Sequence, residues 1–168
     1  MLPHRSVVAC PGRRQALARL VPVAVATVAL PACSLFKPSA ITEVQLKAVA
    51  AANVNPDVRK RPSPIVIRVY ELKARTQFDA LDFLSLTERD KDTLGADLLS
   101  REEFVMRPGE TKSLVKKVSA EARFIGVTAG YRDLERAQWR AVTAIQGQSS
   151  TDFQIQVEAL AVSIAARP

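Results

Sequence analysis

The apolar positions divide the chain into stretches of different period. Residues 17–30 (LARLVPVAVATVAL) are apolar nearly throughout, with Arg19 as their one charge. Spanning a bilayer takes about 20 apolar residues, so this stretch has the length of a signal-peptide hydrophobic region. Beyond residue 40 the period falls to two. Val44, Leu46, Ala48 and Ala50 alternate with other residues, which predicts a first strand with one buried face. Residues 53–64 (NVNPDVRKRPSP) are aperiodic and hold three prolines and two asparagines; they read as a long exposed loop. Ile65, Ile67 and Val69 then alternate with Val66, Arg68 and Tyr70, a β-branched density that predicts a second strand.

Between residues 76 and 95 the period lengthens. Phe78, Leu81 and Leu84 have helical spacing, and Thr76 with Asp79 and Thr87 with Asp90 have the form of capping boxes. Gly95 suits a helix end. Two short helices are therefore expected at about 75–95, inserted between the second and third strands. The remainder is β-like: a strand at 98–106, a turn at Pro108 and Gly109, a strand at 112–118, and a regular alternation over 123–131. Gly126 and Gly130 in that alternation predict close approach by another element. Residues 138–143 carry the lone tryptophan, Trp139, for which a core role is favoured over an interface. Residues 146–152 read as a loop. The final strand starts with Phe153, Ile155 and Val157 and changes phase to Leu160, Val162 and Ile164, which predicts a bulge. About seven strands with a helical insertion imply a mainly β fold, a sandwich of two sheets.

Charge sharpens the picture of the N-terminus. The formal net charge is +7, but Arg5, Arg13, Arg14 and Arg19 precede Cys33 with no acid among them. The rest carries 20 basic and 17 acidic side chains, a net +3, and has no long basic run with aromatics. That removes most of the support for nucleic-acid binding. The apolar stretch ends in Leu30, Pro31, Ala32 and Cys33, which resembles a lipobox: an aliphatic residue three before the cysteine and a small one directly before it. Pro31 departs from the commoner Ala, Ser or Thr. The expectation is a signal peptide over 1–32, cleavage between Ala32 and Cys33, acylation of the Cys33 thiol, a tether through residue 40 and a sandwich domain over 41–168. Ser34, rather than Asp, favours export to the outer membrane.

Little catalytic chemistry is available. The lone histidine, His4, and Cys10 fall in the expected signal, so a histidine base, a Cys/His pair and the usual zinc ligands are missing from the mature chain. Asp90, Asp92 and Asp97, and Glu102 with Glu103, lie close in sequence, but their spacing matches no calcium loop. They read as solvated faces. Arg59, Lys60 and Arg61 suit binding to anionic lipid or a partner, or simply keep a loop soluble, and composition favours the last.

Family resemblance changes that balance. Asn55, Pro56 and Asp57, then Arg61 to Pro64 running into IVIRVYELK, resemble the TssJ family of type VI secretion outer-membrane lipoproteins. So do FDALDFLSL with TERDKDTLGADLLSREEFVMRPGET, and FIGVTAGYRDLERAQWRAV, in order over residues 41–145. The resemblance implies a transthyretin-like β-sandwich, no enzymatic activity and no cofactor beyond the lipid on Cys33. It implies an outer-membrane protein facing the periplasm, held there by its acyl chains. The implied partner is the periplasmic C-terminal region of TssM, with TssL in the same complex. The loop between the first two strands is the implied contact, which makes Asn55, Pro56, Asp57, Val58, Arg59, Lys60 and Arg61 candidates. The competing reading is a periplasm-facing lipoprotein that binds a small ligand or another envelope protein; at 5% aromatic residues, glycan stacking is disfavoured.

Overall fold

The computed structural model describes residues 42–145 and 151–167. The expected signal, the Ala32–Cys33 cleavage site, the acylated Cys33, the tether and residues 146–150 of the last loop lie outside them.

Among the described residues, eight strands form two four-stranded sheets. They are β1 (Thr42–Ala50), β2 (Ile65–Leu72), β3 (Leu98–Met106), β4 (Thr111–Val118), β5 (Phe124–Ala129), β6 (Arg140–Ala144), β7 (Thr151–Val157) and β8 (Val162–Ala166). One sheet has the order β4-β1-β7-β8 and the other β3-β2-β5-β6. The main core lies between them. Val44, Leu46 and Ala48 of β1 and Phe153, Ile155 and Val157 of β7 meet Ile65, Ile67 and Val69 of β2 and Ile125, Val127 and Ala129 of β5. The alternation predicted in these segments is the inner face of each sheet. Each such buried aliphatic or aromatic side chain contributes about 1.5–3 kcal/mol.

Where the sequence predicts seven strands, the described residues form eight. The phase change near residue 160 is a reversal and not a bulge: Glu158 N–H donates to the Ala161 carbonyl at 2.7 Å, and β8 returns antiparallel to β7. A bulge and a tight reversal both shift the apolar phase, so periodicity cannot separate them. The turn also ties the sheets together, because Gln138 N–H donates to the Leu160 carbonyl and Val162 N–H to the Gln138 carbonyl. At the opposite edge, the turn at 107–110 carries the chain from β3 in one sheet to β4 in the other. Toward the other end of these strands, the buried Glu71 of β2 pairs with Lys116 of β4 at 3.5 Å, a polar link between the sheets.

The helical insertion differs in detail. It comprises α1 (Thr76–Ala80), α2 (Phe83–Glu88), α3 (Asp90–Leu94) and a 3-10 turn at Gly95–Asp97. Neither expected capping box forms. Asp79 accepts from Arg75, the Thr87 hydroxyl bonds back to the Phe83 carbonyl, and Asp90 accepts from Arg101. Asp82 is the working cap, accepting from the Ser85 N–H at 2.9 Å and the Ser85 hydroxyl at 2.8 Å. Gly95 does end α3, at φ +51°. Helices this short do not stand alone. They are held by a second cluster on the outer face of β2, where Tyr70 and Leu72 pack on Phe78, Leu86 and Leu94. Trp139 bridges the two clusters, half-buried and edge-on to Phe83 at 5.3 Å.

Gly126 on β5 makes the close approach its sequence predicts. A Cβ there would sit 2.8 Å from Phe78 Cζ. Gly126→Ala should therefore push Phe78 off the sheet and cost about 1–3 kcal/mol, measured as a fall in the denaturation midpoint; an unchanged midpoint would mean that α1 packs loosely.

Candidate functional site

The β1–β2 connection crosses from the middle of one sheet to the middle of the other, and its base is firmly tied. Ala51 N–H donates to the Val157 carbonyl at 2.8 Å, Asn55 N–H to Ala159 at 3.1 Å, and Ser63 N–H to Val54 at 3.1 Å. Val54, Asn55 and Ser63 are buried, so the loop is not exposed along its whole length as expected. Its proline content signals the lack of regular structure but not the depth at which the base sits.

Asn55 holds this base together. It is only 3% exposed and adopts φ +48°, a left-handed conformation that asparagine tolerates. Its side-chain amide nitrogen donates to the Pro64 carbonyl at 2.9 Å. Its amide oxygen accepts the Arg132 N–H at 2.8 Å. One buried side chain thus closes the loop on itself and fastens it to the segment after β5.

Asp57 shapes the tip. Its carboxylate accepts the Arg59 N–H at 2.8 Å, the Arg61 N–H at 2.9 Å and the Arg61 guanidinium at 2.7–2.8 Å. Backbone bonds from Asp57 N–H to the Arg61 carbonyl and from Lys60 N–H to the Asp57 carbonyl complete a tight turn. Lys60 pays for it with φ +61°. The Arg61 backbone and side-chain hydrogen bonds hold the Asp57 carboxyl below its usual 3.8. Asparagine and aspartate thus act inside the loop, Arg61 braces it, and Val58, Arg59 and Lys60 are what the tip presents to solvent. Val58 is fully exposed.

Facing the tip is a segment that the sequence shows only as a Tyr-Arg-Asp run. Tyr131 is buried, which pushes its phenol well above the ordinary value, and its hydroxyl donates to the Glu158 carbonyl at 3.1 Å. Asp133 caps its own turn through Arg136, whose guanidinium holds the Asp133 carboxyl below its ordinary range. Pro56, Asp57 and Val58 on one side and Arg132, Leu134 and Arg136 on the other line an open groove of about 680 Å³. A second groove of about 380 Å³ on the far side of the tip is lined by Val58, Lys60 and Leu160 among others. The carboxylates noted in the sequence lie elsewhere: Asp90, buried and not on a solvated face as expected, pairs with Arg101, Glu102 with Lys116 and Glu103 with Arg68, while Asp92 and Asp97 form no ion pair among the described residues. Among the described residues no group of three metal-ligating side chains converges.

Comparisons with known proteins agree with this architecture. The family described as "Type VI secretion lipoprotein, VasD, EvfM, TssJ" matches residues 42–160. Among solved structures, the chain is similar to the type VI lipoprotein TssJ1 from Pseudomonas aeruginosa, at 39% identity and a TM-score of 0.74, over 76% of this chain and 98% of that one. It is similar to Lip from Serratia marcescens, a membrane-bound component of the type VI secretion system, at 27% identity and a TM-score of 0.69, over 76% and 99%. A chain of a type VI membrane complex, at 24% identity and a TM-score of 0.67 over 76% and 99%, shares the fold. No curated protein sequence matches.

Two outcomes follow from the site. Asn55→Ala strands the Pro64 carbonyl and the Arg132 N–H and leaves alanine in a left-handed conformation, so it should lower stability by about 2–3 kcal/mol by urea denaturation. A loss under 0.5 kcal/mol would mean water replaces the amide. Asp57 should titrate below 3.8. Its bonds favour the carboxylate, so their contribution is complete above the unfolded value and is lost as pH falls through the folded one. The Arg59 and Arg61 amide resonances should report that low midpoint by NMR; a midpoint at or above 3.8 would contradict the turn.

Proposed function

The chain belongs to the type VI secretion lipoprotein (TssJ) family, and from that membership we propose that it anchors the trans-envelope complex of a type VI secretion system by binding the periplasmic part of TssM. In this reading residues 1–32 are removed after Ala32, Cys33 carries the acyl chains, and residues 34–40 tether the sandwich to the periplasmic face of the outer membrane. TssL joins through the same complex. The role is mechanical and needs no cofactor beyond the lipid.

The observation that carries the contact assignment is the construction of the β1–β2 loop. Its base is fixed by Asn55 and backbone bonds, while its tip presents Val58, Arg59 and Lys60 to solvent. A rigid platform with an exposed tip suits a load-bearing contact, because little conformational entropy is lost on binding. Several acyl chains, at roughly 0.8 kcal/mol for each buried methylene, oppose extraction when TssM is pulled. Lipid attachment also confines the domain near its membrane-spanning partners and raises its effective concentration there. Of the seven residues that the resemblance nominates, this reading makes Val58, Arg59 and Lys60 the ones that touch the partner. Asn55, Asp57 and Arg61 are placed to hold them out, and Pro56 lines the groove beside them.

The test is the affinity of residues 34–168 for the periplasmic C-terminal region of the cognate TssM. Replacing both Arg59 and Lys60 by Ala, with Arg61 kept as the brace, should weaken binding at least about ten-fold, the scale of an interface residue that matters, with an unchanged circular dichroism spectrum. Full binding by that variant would move the contact elsewhere. No binding by the folded native domain would sink the anchor proposal.

A further inference from the structure

Resting on the TssM-binding reading, we infer that β1 is the tension member of the molecule: a pull between the acyl anchor and the loop tip runs along this one strand and leaves most of the sandwich outside the load path. In that reading the anchor, Cys33, precedes β1 and the contact follows it. The strand joins the two, from Thr42 at one end to Ala50 at the other. At about 3.3–3.4 Å per residue its nine residues span about 30 Å. The contact therefore projects from the end of the sandwich opposite the one at which the chain enters.

Such a strand has almost no slack. A fully extended chain spans at most about 3.3–3.6 Å per residue, so β1 is already close to its limit. It is also held on both sides. Eight register pairs join it to β4, from Thr42 opposite Val118 to Val49 opposite Thr111, and seven join it to β7, from Val44 opposite Thr151 to Ala50 opposite Val157. Val44, Leu46, Ala48 and Ala50 are buried in the core. A pull along the strand axis loads these pairs together, in shear, whereas a pull across it opens them one at a time.

What slack remains lies in residues 51–58, between β1 and the tip. Straightening them adds less than about 30 Å. Hydrogen bonds oppose it: Ala51 N–H to the Val157 carbonyl, Asn55 N–H to the Ala159 carbonyl, and the two that the Asn55 side chain makes with Pro64 and Arg132. Load can do work on the fold only through this short stretch, while residues 60–168 lie outside the covalent path and brace it. The other end of the chain has the opposite geometry. Strand β8 returns to the end where β1 begins, with Ala166 opposite Phe153 and Phe153 opposite Leu46. A pull between those two ends peels β1 and β8 away pair by pair.

The experiment stretches single molecules of the full chain, made without export so that Cys33 keeps its thiol, with Cys10→Ser removing the other cysteine. One handle is Cys33. The second is Arg59→Cys at the tip or Arg167→Cys beyond β8, both exposed positions. At equal force the 33–59 pair should stay folded at least about ten-fold longer than the 33–167 pair, since forced unfolding follows the unfolding rate. Its extension should come in one step of less than about 30 Å, against roughly 400 Å when residues 42–167 unravel. On relaxation it should recover faster than the 33–167 pair refolds. Equal or shorter lifetimes for the 33–59 pair overturn the inference. Recovery no faster than refolding overturns it as well, because the sandwich would then have come apart under load. No partner is present, so failure here leaves the TssM reading standing, and failure of that reading shows separately as absent binding in the affinity measurement.

Discussion

The two strands at the heart of the sandwich, β1 and β2, follow one another in the chain yet belong to different sheets. The connection between them must cross the end of the core, where backbone groups lie out of reach of either ladder. An unpaired backbone donor or acceptor in such a place costs about as much as a lost hydrogen bond. Asn55 resolves the crossing. Its left-handed backbone turns the chain, and its amide serves two strands' worth of loop at once, reaching Pro64 before β2 and Arg132 after β5. The ordered base, the projecting tip and the fixed distance to the facing segment all depend on that one buried group.

The sheet that receives the loop is packed on its inner face throughout and on its outer face around Tyr70 and Leu72, while Val66 and Val105 on the outer face are exposed. Its inner side meets β1 and β7, and its outer side is covered by three helices too short to exist without it. Tyr70 contributes its ring to the helix-side cluster and its hydroxyl to the Leu86 carbonyl at 2.8 Å, so the insertion is both packed and hydrogen-bonded to β2. Gly126 lets Phe78 come down onto β5. Packing on two sides makes β2 a stiff member, and the loop leads directly into it. In the anchoring role proposed above, a stiff strand behind the exposed tip would carry load into the core instead of bending the loop.

Electrostatics divides the tip into structural and presenting charges. Asp57 and Arg61 neutralise each other while closing the turn, as do Asp133 and Arg136 across the groove. Pairs this exposed add little stability. Their effect is geometric: each ties one carboxylate to its own segment, while Arg59, Lys60, Arg132 and Glu135 form no ion pair among the described residues. The basic run that composition treats as a solubility device is thus sorted by its neighbours: all three members are exposed, but Arg61 is bound to Asp57 while Arg59 and Lys60 form no ion pair among the described residues.

Much of this was legible in the chain. Two-residue periodicity located the strands because one face of each sheet is buried, and the switch of period near residue 76 located the insertion. The lipid anchor expected from the N-terminal motif lies outside the described residues, and the loop contact remains what the family resemblance implies. The sequence could not distinguish a bulge from a reversal at residue 160, since both shift the apolar phase by the same step. It placed caps at Thr76 and Thr87, but Arg75 and Arg101 drew Asp79 and Asp90 away while Asp82 took the capping role. It offered Asn55 as a contact residue, whereas the fold buries it as the fastener. Local patterning determines which residues form strands and which face they show. Which distant backbone groups a side chain will satisfy depends on where the chain has returned in space, and only the tertiary structure decides that.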